Sequence, residues 1–294
     1  MRAYLPAYEL RTPAGLREAL DLLGRQPDAW KVFAGGTDLM VSFAAGHLPP
    51  GKFLNLWDLP ELKKVQHDPA HITLGALTTY TQVREEAVLQ SEFPMLCQAA
   101  FETGGVAIQN RGTLGGNIAN ASPAADSCPP LLAYDAELEL LSAGGSRWIP
   151  YRDFHIGYKQ TLMRGDELIS RIRLPRLVDR GAGDWRHYFR KVGTRRAQAI
   201  SKVCFSALGR VQSGRIKEIR IALGSVAPTV IRCRRTEAML TGRVLDQEII
   251  GTAREALAGE LSPIDDVRST AQYRSRVAGN LLEDFLDRMI LSNR

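Results

Sequence analysis

Cysteine is scarce in this 294-residue sequence: Cys97, Cys128, Cys204 and Cys233 are the only four, and no two form a C-x-x-C pair. That spacing gives no short motif for zinc or an iron–sulfur cluster. Four buried, reduced thiols are the expectation. Long apolar runs are missing as well: none approaches the ~20 residues of a membrane helix. Residues 1–6 lack the charged-then-apolar pattern of a signal peptide, so a cytoplasmic protein is expected. Neither G-x-G-x-x-G nor G-x-x-x-x-G-K-[ST] occurs, which removes the Rossmann fingerprint and the P-loop. There is no H-E-x-x-H zinc helix and no G-x-S-x-G elbow. The five histidines (47, 67, 71, 155 and 187) therefore read as surface or turn residues.

Charge of one sign is in modest excess. The net charge is +6, with Arg outnumbering Lys several-fold. Basic clusters fall at Arg186-His187-Arg190-Lys191, Arg195-Arg196 and Arg232-Arg234-Arg235. No aromatic platform, zinc motif or helix-turn-helix pattern accompanies them, so nucleic-acid binding is not expected. Solvated faces and acidic partner subunits account for the charge better.

What the sequence does have is two glycine pairs in polar surroundings. Residues 113–126 read Thr-Leu-Gly-Gly-Asn-Ile-Ala-Asn-Ala-Ser-Pro-Ala-Ala-Asp, without Lys or Arg. Gly115 and Gly116 let the backbone take positive φ or approach a ligand with no Cβ in the way. An anion held here would be held by main-chain N–H groups. Ala34-Gly35-Gly36-Thr37-Asp38 has the same character about eighty residues earlier. Lys31-Val32-Phe33-Ala34 reads as a short buried strand entering it, and Thr37 and Asp38 as caps of a helix through Leu39, Met40, Phe43 and Ala44. Such a helix would turn its positive end toward phosphates. Together the two loops look like jaws for a pyrophosphate. A valine at Gly36 or Gly116 is expected to expel the ligand.

With these loops in view, the chain resembles the FAD-binding medium subunits of the molybdenum hydroxylases, the bacterial xanthine dehydrogenase and aerobic carbon monoxide dehydrogenase group. The first and second glycine loops resemble that family's two pyrophosphate loops. Gly157-Tyr158-Lys159-Gln160-Thr161 through Pro175, Lys191-Val192-Gly193 with Ala197-Gln198-Ala199-Ile200-Ser201, Gly224 to Thr229, and Asp266 to Arg274 resemble further family segments in the same order.

The resemblance implies FAD in this chain, held by Lys31, Val32, Phe33, Ala34, Gly35, Gly36, Thr37 and Asp38 and by Thr113, Leu114, Gly115, Gly116 and Asn117. It also implies Asp126 at the adenosine end, or alternatively capping the helix from Ser127. Ile169 would lie beside the flavin ring, or else in ordinary strand core. Lys191 would be a cation near the flavin, against the alternative of a solvated charge. No catalytic acid–base residue is assigned. [2Fe–2S] clusters and the molybdopterin cofactor would sit on a small and a large partner subunit, in a dimer of heterotrimers. An extra [4Fe–4S] loop, present in some relatives, finds no support in the cysteines. Two other readings stay open: a self-contained flavoenzyme of the vanillyl-alcohol-oxidase type, and a flavin-free assembly scaffold.

A chain of this length can bury two modest cores. The expected fold is α+β: a two-lobed FAD-binding domain of the vanillyl-alcohol-oxidase/PCMH type over 1–178, then a smaller domain over 184–290 with a three-stranded antiparallel sheet and helices. Thr12-Pro13 reads as the start of a helix carrying Leu16, Leu20 and Leu23 and closed by Gly24. Strands are expected at 53–56, 71–75, 138–142, 147–150 and 167–174, and helices at 79–87 and 95–103. A polar, glycine-rich linker is expected over 176–184, followed by strands at 185–192, 199–211 and 215–225 and a mostly helical tail.

Overall fold

The architecture is described from a computed structural model, over residues 7–177, 185–195 and 198–291. The first lobe contains β1 (Tyr8–Arg11), α1 (Leu16–Arg25), β2 (Trp30–Phe33), α2 (Leu39–Ala44) and β3 (Gly51–Asn55). Its three strands are parallel, in the order β1-β3-β2. Parallel neighbours need crossover connections, and α1 and α2 supply them. Ala19, Leu20 and Leu23 of α1 are buried in one cluster with Leu54, Leu56 and Leu59.

Two local expectations change here. Helix α1 begins at Leu16, after Gly15, and not at Thr12-Pro13. The Glu18 carboxylate explains this: it accepts the Ala14 N–H and the Arg11 guanidinium, both at 2.8 Å, so the preceding residues fold back outside the helix. Gly24 lies within the last turn, and the chain leaves the helix at Gln26. In β2 only Trp30 is buried; Lys31 and Val32 are exposed along the site described below.

The second lobe is built on five antiparallel strands in the order β4-β5-β10-β6-β7. They are β4 (Val65–His67), β5 (His71–Gly75), β6 (Glu137–Ser142), β7 (Gly145–Pro150) and β10 (Leu168–Pro175), with a separate hairpin of β8 (His155–Gly157) and β9 (Gln160–Thr161). Between β5 and β6 run α3 (Tyr80–Glu85), α4 (Ala87–Glu92), α5 (Pro94–Glu102), α6 (Val106–Gln109), α7 (Leu114–Ala119) and α8 (Cys128–Ala133). Thr79 caps α3 in a reciprocal capping box with Gln82. The helix expected over 79–87 breaks at Glu86, whose extended backbone (φ −73°, ψ 110°) starts α4. Glu139 of β6 is only 2% exposed, and Arg171 and Ser170 of β10 satisfy its carboxylate. A buried charge is tolerated when so paired.

The remaining strands are β11 (Arg186–Val192), β12 (Val203–Gln212), β13 (Arg215–Gly224) and β14 (Ile231–Arg232), one antiparallel sheet in that order. The expected three-stranded sheet therefore has a fourth member. β14 is two residues long, too short to show alternation, yet it pairs Leu223 with Ile231. Helices α9 (Arg234–Leu240), α10 (Gln247–Ala258) and α11 (Ala271–Leu291) cover the sheet, with Leu282, Phe285 and Met289 buried against Phe205 and Ile221. Most of the expected linker, and the boundary residues 178 and 184, lie outside the described residues, as do Arg196 and Ala197.

The C-terminal sheet packs onto the second lobe. Phe189, Cys204, Leu208 and Ala222 share a core cluster with Leu131 and Tyr134. Arg220 and Arg232 both pair with Asp135 just past α8, at 3.0 and 2.6 Å, and Arg232 also donates to the Leu132 carbonyl. Basic groups at a helix C-terminus satisfy its free carbonyls. No helix among the described residues is long and apolar enough to cross a membrane.

Candidate functional site

The first glycine loop follows β2. Gly36 takes φ +77°, which a side chain would strain, and Gly35 lies against the backbone of Arg111. A Cβ at Gly35 would stand 1.8 Å from the Arg111 carbonyl oxygen. The Arg111 guanidinium stacks 3.7 Å from the Trp57 ring centroid, with its Nε 3.5 Å from the Gly35 carbonyl. Asp38 holds the N-cap position of α2, but neither it nor Thr37 supplies the expected side-chain cap. The Asp38 carboxylate instead accepts from Asn120 Nδ2 at 3.2 Å.

The second glycine pair is not a loop. Gly115 and Gly116 fall in the first turn of α7, without positive φ, and the Thr113 hydroxyl caps that turn by accepting the Gly116 N–H. Here glycine serves close packing: a Cβ at Gly115 would come within 2.6 Å of Ala76 Cβ and 2.8 Å of its carbonyl oxygen, which accepts the Gly115 N–H. Asn117 then accepts from Ser127 Oγ at 2.6 Å, tying α7 to the start of α8.

Between the two pairs lies a cavity of about 600 Å³. Lys31, Val32, Ala34, Gly35, Gly36, Thr37, Asp38, Thr113, Gly115, Gly116, Asn117 and Ile169 all line it, so the structure brings most of the expected binding residues to one wall. The size suits a small-molecule site. The chemistry of the lining fits a dinucleotide: bare glycine backbone, hydroxyls and amides, Lys31 and Arg164, and apolar Leu77, Leu168 and Ile169.

Four expected residues stand elsewhere. Phe33 and Leu114 are not on this wall, and Leu114 is wholly buried in the core. Asp126 and Lys191 face each other: Lys191 Nζ donates to Asp126 Oδ2 at 2.6 Å and to the Glu102 carbonyl at 2.9 Å. The Lys191 side chain is 6% exposed, so it is not a solvated charge, and Asp126 does not cap α8. Burial pushes the Asp126 carboxyl up to about 6 against the pull of Lys191. Asp126 Oδ1 has no partner. This pair joins the C-terminal sheet to the second lobe.

Two histidines depart from the surface expectation. His155 Nε2 is 2.9 Å from the Ile118 carbonyl, and burial lowers its pKa. His187 Nδ1 stands 3.0 Å from Tyr134 Oη, which accepts the Met95 N–H and has its own proton to give; burial pushes His187 down to about 4. His67 and His71 lie on the two strands of the β4–β5 hairpin beside Glu86 and Asp68. Tyr158, considered as a flavin cover, is 65% exposed in the β8–β9 turn, whereas Tyr188 is buried and bonds Asp284. Cys128, Cys204 and Cys233 are buried and free, but Cys97 is only partly buried. Burial raises the thiol of Cys97 to about 11 and that of Cys128 to about 12, which leaves them unreactive. Among the described residues no group of His, Cys, Asp and Glu could hold a metal.

Arg111, Asn120 and Lys159 are not among the site residues expected from sequence, although Asn120 lies in the 113–126 stretch and Lys159 in the 157–161 segment. Lys159, in a left-handed turn (φ 57°), donates to both the carbonyl and Oδ1 of Asn120, at 2.7 and 2.6 Å. Such contacts between distant segments have no local pattern to read.

Residues 6–177 match the family described as FAD binding domain in molybdopterin dehydrogenase, and residues 187–289 match the CO dehydrogenase flavoprotein C-terminal domain. A putative xanthine dehydrogenase FAD-binding subunit of Escherichia coli is 32% identical over 262 residues, covering 89% of this chain and 88% of that protein. The carbon monoxide dehydrogenase medium chain of Hydrogenophaga pseudoflava is 27% identical over 282 residues, 96% of each. A solved carbon monoxide dehydrogenase from the same organism superposes with a TM-score of 0.90, at 28% identity and 97% coverage of both chains.

Proposed function

The chain belongs to the family of FAD-binding subunits of molybdopterin dehydrogenases, and from that membership we propose that it relays electrons between a partner's [2Fe–2S] clusters and a terminal acceptor such as NAD, oxygen or a quinone-linked carrier. The observation that carries this reading is the cavity walled by both glycine pairs. The flavin, when bound, supplies the redox chemistry; the protein supplies binding, orientation and electrostatics.

Each group in the wall has a distinct task in this reading. Gly35 and Gly36 admit a pyrophosphate close to the main chain. Thr37, Thr113 and Asn117 offer hydroxyl and amide groups, and Lys31 and Arg164 offset phosphate charge. Ile169 packs as an apolar surface on a ring. Asp126 and Lys191 hold the C-terminal domain against the binding domain and bear on the cofactor only through that contact. The vanillyl-alcohol-oxidase/PCMH type of the two lobes, the division at 1–178 and 184–290, and a dimer of heterotrimers with a large molybdopterin subunit and a small iron–sulfur subunit belong to the same proposal.

The relatives described above are named as subunits of dehydrogenases for chemically unlike substrates, xanthine and carbon monoxide. A constant flavin chain beside a variable substrate is what a separate substrate-binding subunit would give.

The test uses the assembled complex. Substrate should bleach both cluster and flavin absorbance, and stripping FAD should leave cluster reduction intact while stopping delivery to the acceptor. Substrate turnover by this chain alone, supplied only with FAD, would overturn the relay reading.

A further inference from the structure

An aspartate at the mouth of a phosphate-binding loop is electrostatically misplaced unless it is compensated. Asp38 lines the cavity beside Gly36 and does not cap α2. Its carboxylate accepts from Asn120, the C-cap residue of α7, across 82 positions of sequence. Asn120 is itself oriented by Lys159, whose ammonium bonds both the side-chain and main-chain oxygens of that one residue. The three residues come from three separate segments: the first glycine loop, the helix carrying the second glycine pair, and the β8–β9 turn.

We propose that Asn120 and Lys159 are positioning residues: Asn120 engages the Asp38 carboxylate, Lys159 orients Asn120, and together they fix the gap between the two glycine segments before cofactor arrives. The inference rests on the FAD reading above. The rest of α2 is lightly anchored: none of its residues is buried, Met40 and Val41 are 51% and 64% exposed, and Phe43 meets the Tyr8 ring of β1 at its edge. The Asp38–Asn120 bond therefore adds a polar restraint at the start of that helix, beside the Arg111–Gly35 contact of the loop itself. A loop already set in its binding geometry loses less entropy on ligand capture.

A swap tests this without removing the side chains. In Asn120→Asp two carboxylates oppose each other, and FAD binding to the full-length chain, read by flavin fluorescence, should weaken about tenfold. Asp38→Asn alone keeps an acceptor for Asn120 and serves as the reference; it should weaken binding less than Asn120→Asp does. The double variant restores a donor and an acceptor in reversed order and keeps a carboxylate for Lys159, so its affinity should return to within threefold of Asp38→Asn. Lys159→Met, which frees Asn120, should weaken binding and quicken exchange in the same direction as Asn120→Asp. Amide exchange of residues 39–44 in FAD-free chain provides a second readout. Exchange should quicken in Asn120→Asp and slow again in the double variant. An Asn120→Asp variant with wild-type affinity and wild-type exchange, or a double variant no better than Asn120→Asp, would overturn the proposal. Wild-type chain that binds no FAD would overturn the functional reading, while the exchange data would still decide whether the tie exists.

Discussion

Gly35-Gly36 sits in a turn at the end of a sheet strand, followed by a helix with no buried residue; Gly115-Gly116 sits in the first turn of a helix whose Leu114 and Ile118 are fully buried. In sequence the two pairs look alike. In the structure one jaw is a surface turn and the other is part of the core. Within each pair the first glycine lies against backbone, whereas the second meets side chains: Gly36 has positive φ and faces the Phe33 ring at 2.8 Å from an added Cβ, and Gly116 meets only the Thr113 hydroxyl, also at 2.8 Å. A dipeptide pattern identifies a site without identifying what each glycine does.

Single alanines separate these roles. Gly35→Ala should have the largest effect, because the Arg111 carbonyl in its path is main chain and cannot rotate away. The expected loss is on the order of 3 kcal/mol of stability, the upper range for overpacking, and FAD retention should go with it. Thermal unfolding with and without FAD measures both. Gly115→Ala follows at roughly 2 kcal/mol, through contact with Ala76. Gly36→Ala should cost about 1–2 kcal/mol for its left-handed backbone, with FAD affinity falling while the fold survives. A Gly36→Ala chain with unchanged affinity would break the comparison, since the positive φ would then serve nothing.

The domain interface supplies a control that both jaws should share equally. His187 has its folded pKa depressed to about 4, so below the ordinary 6.5 the unfolded chain binds the extra proton and stability falls as pH drops. Asp126 has its folded pKa raised to about 6, so the folded chain binds the extra proton between about 6 and 3.8 and stability rises as pH drops. Between pH 7 and 5 the two effects oppose, each roughly 1–2 kcal/mol, and His155, also lowered by burial, adds to the His187 side. Asp126→Asn should expose the His187 slope, losing stability toward pH 5. His187→Phe should shift the slope the opposite way. The Gly36→Ala and Gly115→Ala losses should add to these unchanged, and parallel slopes in both variants would be expected from denaturant titrations.

The smallest effect belongs to Gly116→Ala. A better helix former gains up to ~1 kcal/mol, and disturbing the Thr113 cap costs about as much, so stability should stay within ~1 kcal/mol of wild type. Gly116→Val should leave the fold intact while lowering FAD retention, because the side chain extends on a residue that lines the cavity. The sequence treated valine at 36 and 116 as equivalent; the structure assigns the first to backbone strain and the second to occupied space.

Strands and helices with clear periodicity were legible, among them 71–75, matched residue for residue by β5, and the hairpin of β6 and β7. Both glycine pairs stood out in the sequence, and both line one cavity. What escaped was set by distant contacts. Glu18 folding back on Ala14 moved the start of α1, and β14 was too short to carry a pattern. Asp38 looks like a cap because Asp before an apolar run usually is one, and only the approach of Asn120 shows its other use. Lys191 in a run of basic residues looks solvated until Asp126 and the Glu102 carbonyl enclose it.

The central claim is that this chain holds one FAD, without a covalent bond, between its two glycine segments. Acid denaturation of the purified native protein, followed by separation and quantification of flavin against polypeptide, tests it most directly. The account predicts FAD in the supernatant at about one per chain and a colourless pellet, with the yield collapsing in Gly35→Ala. Flavin retained in the pellet, no flavin at all, or full FAD occupancy in Gly35→Ala would contradict it.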